Sequence, residues 1–132
     1  MDSDNSSTKI SPTFGPYSPV RKVGNLYFIS GQVGIDVVTH IADVDVTEQT
    51  IKVLQNLSIV LDSVGLTLNN VVKTTIFLTD MANFTAVNNE YIKVFNEPRP
   101  ARSTVGVNEL PRVGGDVPIL IEIEAVAAKE LS

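Results

Sequence analysis

Two short stretches hold the side chains best suited to chemistry: Pro98-Arg99-Pro100-Ala101-Arg102-Ser103-Thr104 and Ile121-Glu122-Ile123-Glu124. Each proline ring fixes its own φ and pushes the preceding residue towards extended geometry. Apolar and polar residues then alternate from Ser103 to Leu110, the pattern of a half-buried strand. Arg102 therefore stands at the stiffened entrance to a strand, where a guanidinium can be aimed at a small carboxylate and grip it through two parallel hydrogen bonds. A surface salt bridge is the plainer use of the same arginine. In the second stretch Glu122 and Glu124 leave one face of a strand, and Ile121, Ile123 and Ala125 leave the other. A carboxylate inside a mostly apolar strand needs a partner or a task. A strand with one solvated side is the simpler account, and it suits Glu124 better, nearer the C-terminus. Ser30-Gly31-Gln32 follows an apolar run, and glycine there lets a ligand approach a backbone amide, although Ser-Gly at a strand end is commonly a turn.

Composition narrows the chemistry further. The chain has 132 residues, 43% hydrophobic and 19% charged, the values of an ordinary globular protein long enough to bury a core. A net charge of −5 argues against nucleic-acid binding, which needs a basic surface to displace counterions. With no cysteine there is no disulfide, no thiolate nucleophile and no thiolate metal site. The single histidine, His40, lies between Thr39 and Ile41 with no nucleophile motif around it and reads as a solvated loop or strand-edge residue. No metal site is expected, and any catalysis must come from carboxylates, Arg, Lys, Tyr, hydroxyls and backbone amides. No stretch has the length of a membrane span, and the polar, acidic start resembles neither a secretory signal nor a transit peptide. A cytoplasmic location is the expectation, and the glycosylation sequons at Asn5, Asn56 and Asn83 then read as chance matches.

Residues 1–12 read as a flexible tail and 13–132 as one domain. Residues 18–23 and 26–30 read as strands joined by Gly24-Asn25 into a hairpin, the second ending at Gly31. Residues 46–64 are the clearest helix, with Ile51, Leu54, Leu57, Leu61 and Val64 as its stripe, Asp45 or Thr47 as cap and Gly65 after its end. A strand over 71–79 precedes a second helix, capped by Asp80 or Asn83, striped by Val87, Tyr91, Val94 and Phe95, and stopped by Pro98. Strands over 103–109 and 119–127 complete the order β-β-α-β-α-β-β. That order implies an α+β domain, a mixed sheet with two helices packed on one face.

Seven segments in sequence carry a resemblance: Gly15-Pro16-Tyr17-Ser18, Ile29-Ser30-Gly31-Gln32, Val72-Lys73-Thr74-Thr75, Phe84 to Asn88, Arg99 to Ser103, Leu110-Pro111 and Glu122 to Ala125. Over residues 14–127 the chain resembles the RidA family, also called YjgF/YER057c/UK114. The resemblance implies a chorismate-mutase-like fold assembled as a homotrimer with ligand clefts between subunits. It implies hydrolytic deamination of reactive enamine/imine acids, 2-iminopropanoate and 2-iminobutanoate, to 2-oxo acids and ammonia, with no cofactor. By motif, Arg102 would bind the substrate carboxylate, helped by backbone amides near Gly31 and Thr104, and Glu122 would position water and move protons. Tyr17, Ser30 and Asn88 would line the cleft.

Three departures bear on specificity. Thr104 stands where many members carry cysteine, the segment from Arg112 to Leu120 is long, and the loop from Asp36 to Asp43 lacks the Thr-Gly turn frequent in relatives. The competing readings are a deaminase for another substrate such as 2-aminomuconate, or a non-catalytic binding or regulatory module, including the translation-inhibitor and ribonuclease roles proposed for some relatives.

Overall fold

The computed structural model of the protein describes residues 9–129. Strand β1 (Val20–Val23) pairs antiparallel with β2 (Leu26–Val33), Val23 opposite Leu26. Only Gly24-Asn25 joins them, and Gly24 takes φ +60°, a conformation that strains any residue with a Cβ. β2 does not end at Gly31. It runs on to Val33, and its register against the last strand slips between Ile29 and Gln32. Ser30-Gly31 is thus a β-bulge inside a strand, where the sequence suggested a turn.

Helix α1 (Val46–Ser63) starts at Asp45, whose side chain accepts from the Glu48 backbone N–H at 3.2 Å. It is followed by Gly65 at φ +79°. The buried stripe is Val53, Leu54, Leu57, Val60 and Leu61. Ile51 and Val64, expected in that stripe, are only half-buried at its margins. β3 (Val71–Leu78) leads to a short turn, Met81–Asn83, capped by Asp80 accepting from the Ala82 N–H at 2.9 Å. Helix α2 (Phe84–Val94) follows directly, and Asn83 makes no capping bond. α2 buries Val87 and Tyr91, and Phe95 is buried just past its end. β4 (Ala101–Gly106) begins and ends earlier than the 103–109 expected, because its parallel pairing with β3 runs from Lys73↔Ala101 to Leu78↔Gly106. β5 (Ile121–Ala128) begins two residues later than expected; Ile119 instead joins a small second core with Val33, Ile35 and Ala42.

The sheet order is β1-β2-β5-β3-β4, with β3–β4 parallel and the other pairs antiparallel. Ile121 and Ile123 of β5 and Ile76 of β3 are fully buried in one core with Val53, Leu57 and Val60 of α1 and Val87 of α2. Each such side chain contributes roughly 1.5–3 kcal/mol by leaving water. Buried Gln49 of α1 ties the sheet to its long connection, donating to the Asp43 and Pro118 carbonyls and accepting from the Leu120 N–H. Asn56, at one sequon, is buried and donates to the Val33 and Ile35 carbonyls, so it is no acceptor for a glycan. The opposite face of the sheet is open: Leu26, Phe28 and Val105 are 40–45% exposed. Of the expected tail, residues 1–8 fall outside the described residues, while Ile10 packs against the main core. Among the described residues no helix is long and apolar enough to cross a membrane.

Candidate active site

Strand alternation decides where the two expected chemical groups go. In β5, Ile121 and Ile123 face the helices, so Glu122, flanked by Phe77 of β3 and Val33 of β2, leaves the open face. Its carboxylate rests against Gly31. A Cβ at position 31 would collide with Glu122 Oε2 and lie 2.7 Å from Cδ. Gly31 is therefore needed for close approach, and its φ is not in the left-handed region. Glu122, Gly31 and Gln32 line a cleft of about 140 Å³ with Tyr17, Phe14 and Pro111. Burial in these surroundings raises the Glu122 pKa above the ordinary carboxylate range, and the neighbouring charge of Glu124 raises it further. Glu124 itself is exposed. Ser30 Oγ donates to the Ser18 carbonyl at 2.6 Å, tying the bulge to the segment that carries Tyr17. Ser30 and Tyr17 also border an adjoining groove with Arg21, Lys73 and Glu124.

Arg102 lies elsewhere. It pairs in β4 with Thr74, which is fully buried and shares a 2.8 Å hydrogen bond with the Tyr91 hydroxyl on α2. Its side chain therefore leaves the helix-covered face, at the edge of the sheet. The guanidinium carbon sits 4.9 Å from the Tyr91 ring centroid and 5.5 Å from that of Phe84, within range of cation–π attraction. Burial raises the Tyr91 pKa, opposed by the Thr74 hydrogen bond and the Arg102 charge, so the ring stays neutral beneath the cation. Among the described residues no carboxylate forms a salt bridge with Arg102. Asn88 shares the groove of Arg102 and Tyr91, and Thr104 follows two residues on along the same face of β4.

The structure thus gathers the expected residues into two groups, Tyr17, Ser30, Gly31 and Glu122 in one and Arg102, Asn88 and Thr104 in the other, on opposite faces of one sheet. Among the described residues, four buried side-chain atoms lack a hydrogen-bond partner: Ser11 Oγ, Gln32 Oε1, Asn88 Oδ1 and Thr104 Oγ1. Ser11 and Gln32 are among the residues around the Glu122 cleft, Asn88 is in the groove of Arg102, and Thr104 lies two residues further along β4. Buried polar atoms in native proteins are normally paired with protein groups, water or a ligand. Sequence reasoning named Asn88 and Thr104, noted Gln32 only within Ser30-Gly31-Gln32, and did not name Ser11. His40 is exposed in a loop at φ 61°, edge-on to Phe14. Among the described residues no cluster of His, Cys, Asp or Glu could hold a metal ion.

Comparison with known proteins bears on what these groups serve. Residues 8–129 match the family model described as Endoribonuclease L-PSP. A RutC family protein of Pyrococcus horikoshii is 44% identical over 88% of this chain and 89% of its own length. The chloroplastic Reactive Intermediate Deaminase A of Arabidopsis thaliana is 42% identical over 92% of this chain and 63% of its own length. The crystal structure of E. coli TdcF with bound serine superimposes with a TM-score of 0.84 at 30% identity, covering 93% of this chain and 95% of that one. Matched by that model over residues 8–129 and by these relatives over most of its length, the chain belongs to the RidA (YjgF/YER057c/UK114) family, whose model carries the Endoribonuclease L-PSP description.

Proposed function

We propose that this protein deaminates reactive 2-imino and enamino acids, 2-iminopropanoate and 2-iminobutanoate, by hydrolysis to 2-oxo acids and ammonia. We propose further that it does so without a cofactor, as a homotrimer whose clefts lie between subunits. The observation that carries this reading is the separation of the two groups. Arg102 and Glu122 leave opposite faces of one sheet, so a substrate held by both needs two copies of the chain. The exposed Leu26, Phe28 and Val105 on the open face are the kind of surface that a second copy covers. The serine in the TdcF relative supports a small amino-acid-like ligand with a carboxylate.

Arg102, backed by two aromatic rings and with no carboxylate partner among the described residues, grips the substrate carboxylate, with Asn88 and Thr104 alongside. An imine already carries an electrophilic carbon, so the protein has only to orient it, supply water and move protons. Water attacks C2 and gives a proton to Glu122 as the C–O bond forms and the C=N π pair moves to nitrogen. The protonated Glu122 then delivers a proton to that nitrogen. Glu122 then relays the proton of the new hydroxyl to the same nitrogen, the C–N bond breaks with loss of ammonia, and the oxo group remains. A raised pKa suits this alternation, because the carboxyl must serve as base and acid in one turnover. An enamine enters the same route after protonation at C3.

The test couples the purified protein to a threonine dehydratase reaction with semicarbazide trapping the imine. Faster release of 2-oxobutanoate and ammonia, with less trapped imine, is expected. No effect at protein concentrations matching the dehydratase would overturn the reading. Light scattering tests the assembly: a stable monomer near 14.3 kDa with full activity would sink the trimer. RNA cleavage, the activity in the family model's description, is disfavoured by the net charge of −5.

A further inference from the structure

Two arginines line the groove beside α2, and they are held in different ways. Arg99 is fixed by hydrogen bonds: Nε donates to the Phe95 carbonyl at 3.2 Å and Nη1 to the Glu97 carboxylate at 2.8 Å. Arg102 has no hydrogen-bonded or salt-bridged partner among the described residues. Its guanidinium lies over aromatic rings instead, 4.9 Å from the centroid of Tyr91 and 5.5 Å from that of Phe84. Both rings come from one face of α2. The nearer ring is itself tied down. The Tyr91 hydroxyl shares a 2.8 Å hydrogen bond with Thr74 Oγ1. Thr74 of β3 is the residue paired with Arg102 of β4, so ring, tether and guanidinium meet at one rung of the sheet. Ile76 and Leu78 share the helix-covered face of β3 with Thr74, and all three are fully buried. Valine would fill the place of Thr74 at lower cost, because a buried hydroxyl must find a partner. Among the described residues that side chain has one, the Tyr91 hydroxyl.

We propose that Tyr91 is a positioning residue: tethered by Thr74, its ring holds the Arg102 guanidinium in the attitude that presents two parallel N–H donors to a ligand carboxylate. The proposal rests on the reading of Arg102 as the carboxylate grip. A cation–π contact attracts the guanidinium without consuming a donor, so it can orient the fork and leave it free to bind; a carboxylate partner such as that of Arg99 would occupy the donors. The tether matters because a ring free to tilt lets the fork tilt with it, and hydrogen bonds weaken steeply as they bend.

Three variants test this from both ends of the tether. Tyr91→Leu removes the ring, whereas Tyr91→Phe and Thr74→Val keep the ring and break the tether. Calorimetry reads the affinity for 2-oxobutanoate, and the dehydratase-coupled assay with semicarbazide reads kcat and kcat/KM. Tyr91→Leu is expected to weaken binding ~5–30-fold, the scale of a desolvated cation–π contact, with kcat within a few-fold. Tyr91→Phe and Thr74→Val are each expected to weaken it ~2–5-fold, and together by no more than either alone, because they break one bond. In an Arg102→Ala background each substitution should leave kcat/KM unchanged, since no guanidinium remains to be aimed. A role confined to packing would cost the same in both backgrounds, and that result overturns the proposal, as does wild-type affinity in Tyr91→Leu. Should Tyr91→Leu fail to fold, the tether variants in the two backgrounds decide. Wild-type affinity in Arg102→Ala overturns the carboxylate grip itself, whereas weak binding there with unmoved Tyr91 variants overturns only the role of Tyr91.

Discussion

The two faces of β5 carry opposite duties. On the helix side, Ile121 and Ile123 are fully buried and close the main core. One residue away in sequence, Glu122 and Glu124 leave the other side, where no helix covers the sheet and large apolar side chains stay exposed. A strand with period two can hold the fold with one set of residues and be destabilised by the other set. The pairing at Gly31 makes the same point: the bulge removes a Cβ and breaks the register so that a carboxylate can be half-buried where an apolar side chain would be more stable.

Glu122→Gln tests that division most severely. Loss of the proton-accepting charge should lower kcat by ~10²–10⁴-fold, the range of a general acid–base group. Stability should move the other way. The folded state raises the Glu122 pKa, so the group's stabilising contribution is full below the ordinary glutamate value of about 4.3 and is lost as pH rises through the raised value. Glu122→Gln abolishes that loss. Its melting temperature should therefore exceed that of the wild type at neutral pH, and the two should converge at acid pH. Thermal melts across the pH range read this directly, and a variant less stable at neutral pH would mean that the carboxylate supports the fold.

Ile123→Ala probes the other face. It removes a fully buried side chain and leaves a cavity, for a loss of about 2–5 kcal/mol in denaturant melts. kcat per folded molecule should change little, because Ile123 faces away from the cleft. A large fall in kcat at full folding would show that the two faces are coupled through the strand.

Arg102→Ala removes a charge grip of ~2–5 kcal/mol, so kcat/KM should drop by roughly 30-fold or more. Arg102→Lys should recover part of it, since an ammonium cannot reproduce the planar fork. Near-normal kcat/KM in Arg102→Ala would place the carboxylate grip elsewhere. Arg102 also shows what the sequence could convey. The prolines before it announced a strand entrance, and β4 begins at Ala101. Tyr91 and Phe84 under the guanidinium come from α2, and their meeting depends on how the helix docks, which local pattern does not encode. The helices, the hairpin and the alternation of β5 were legible because periodicity and turn chemistry are local. The bulge at Ser30-Gly31 was not, because it is set by the pairing of β2 with β5, nearly a hundred residues on. The placement of Arg102 and Glu122 on opposite faces follows only from the order β1-β2-β5-β3-β4 and its one parallel pair.

Glu124→Gln should have the smallest effect and sharpens the comparison within a single face. Glu122 and Glu124 share that face, yet Glu122 is half-buried against Gly31 and Glu124 is exposed. Turnover should stay within a few-fold, as expected for a solvated carboxylate. The pH profile should still move. Burial is the larger cause of the raised Glu122 pKa and the charge of Glu124 the smaller. Removing that charge lets Glu122 ionise more easily, so the acid limb of kcat should shift to lower pH, by less in high salt, where an exposed charge is screened. A shift to higher pH would reverse the sign of the coupling between the two carboxylates. A loss of turnover matching that of Glu122→Gln would move the catalytic role to Glu124.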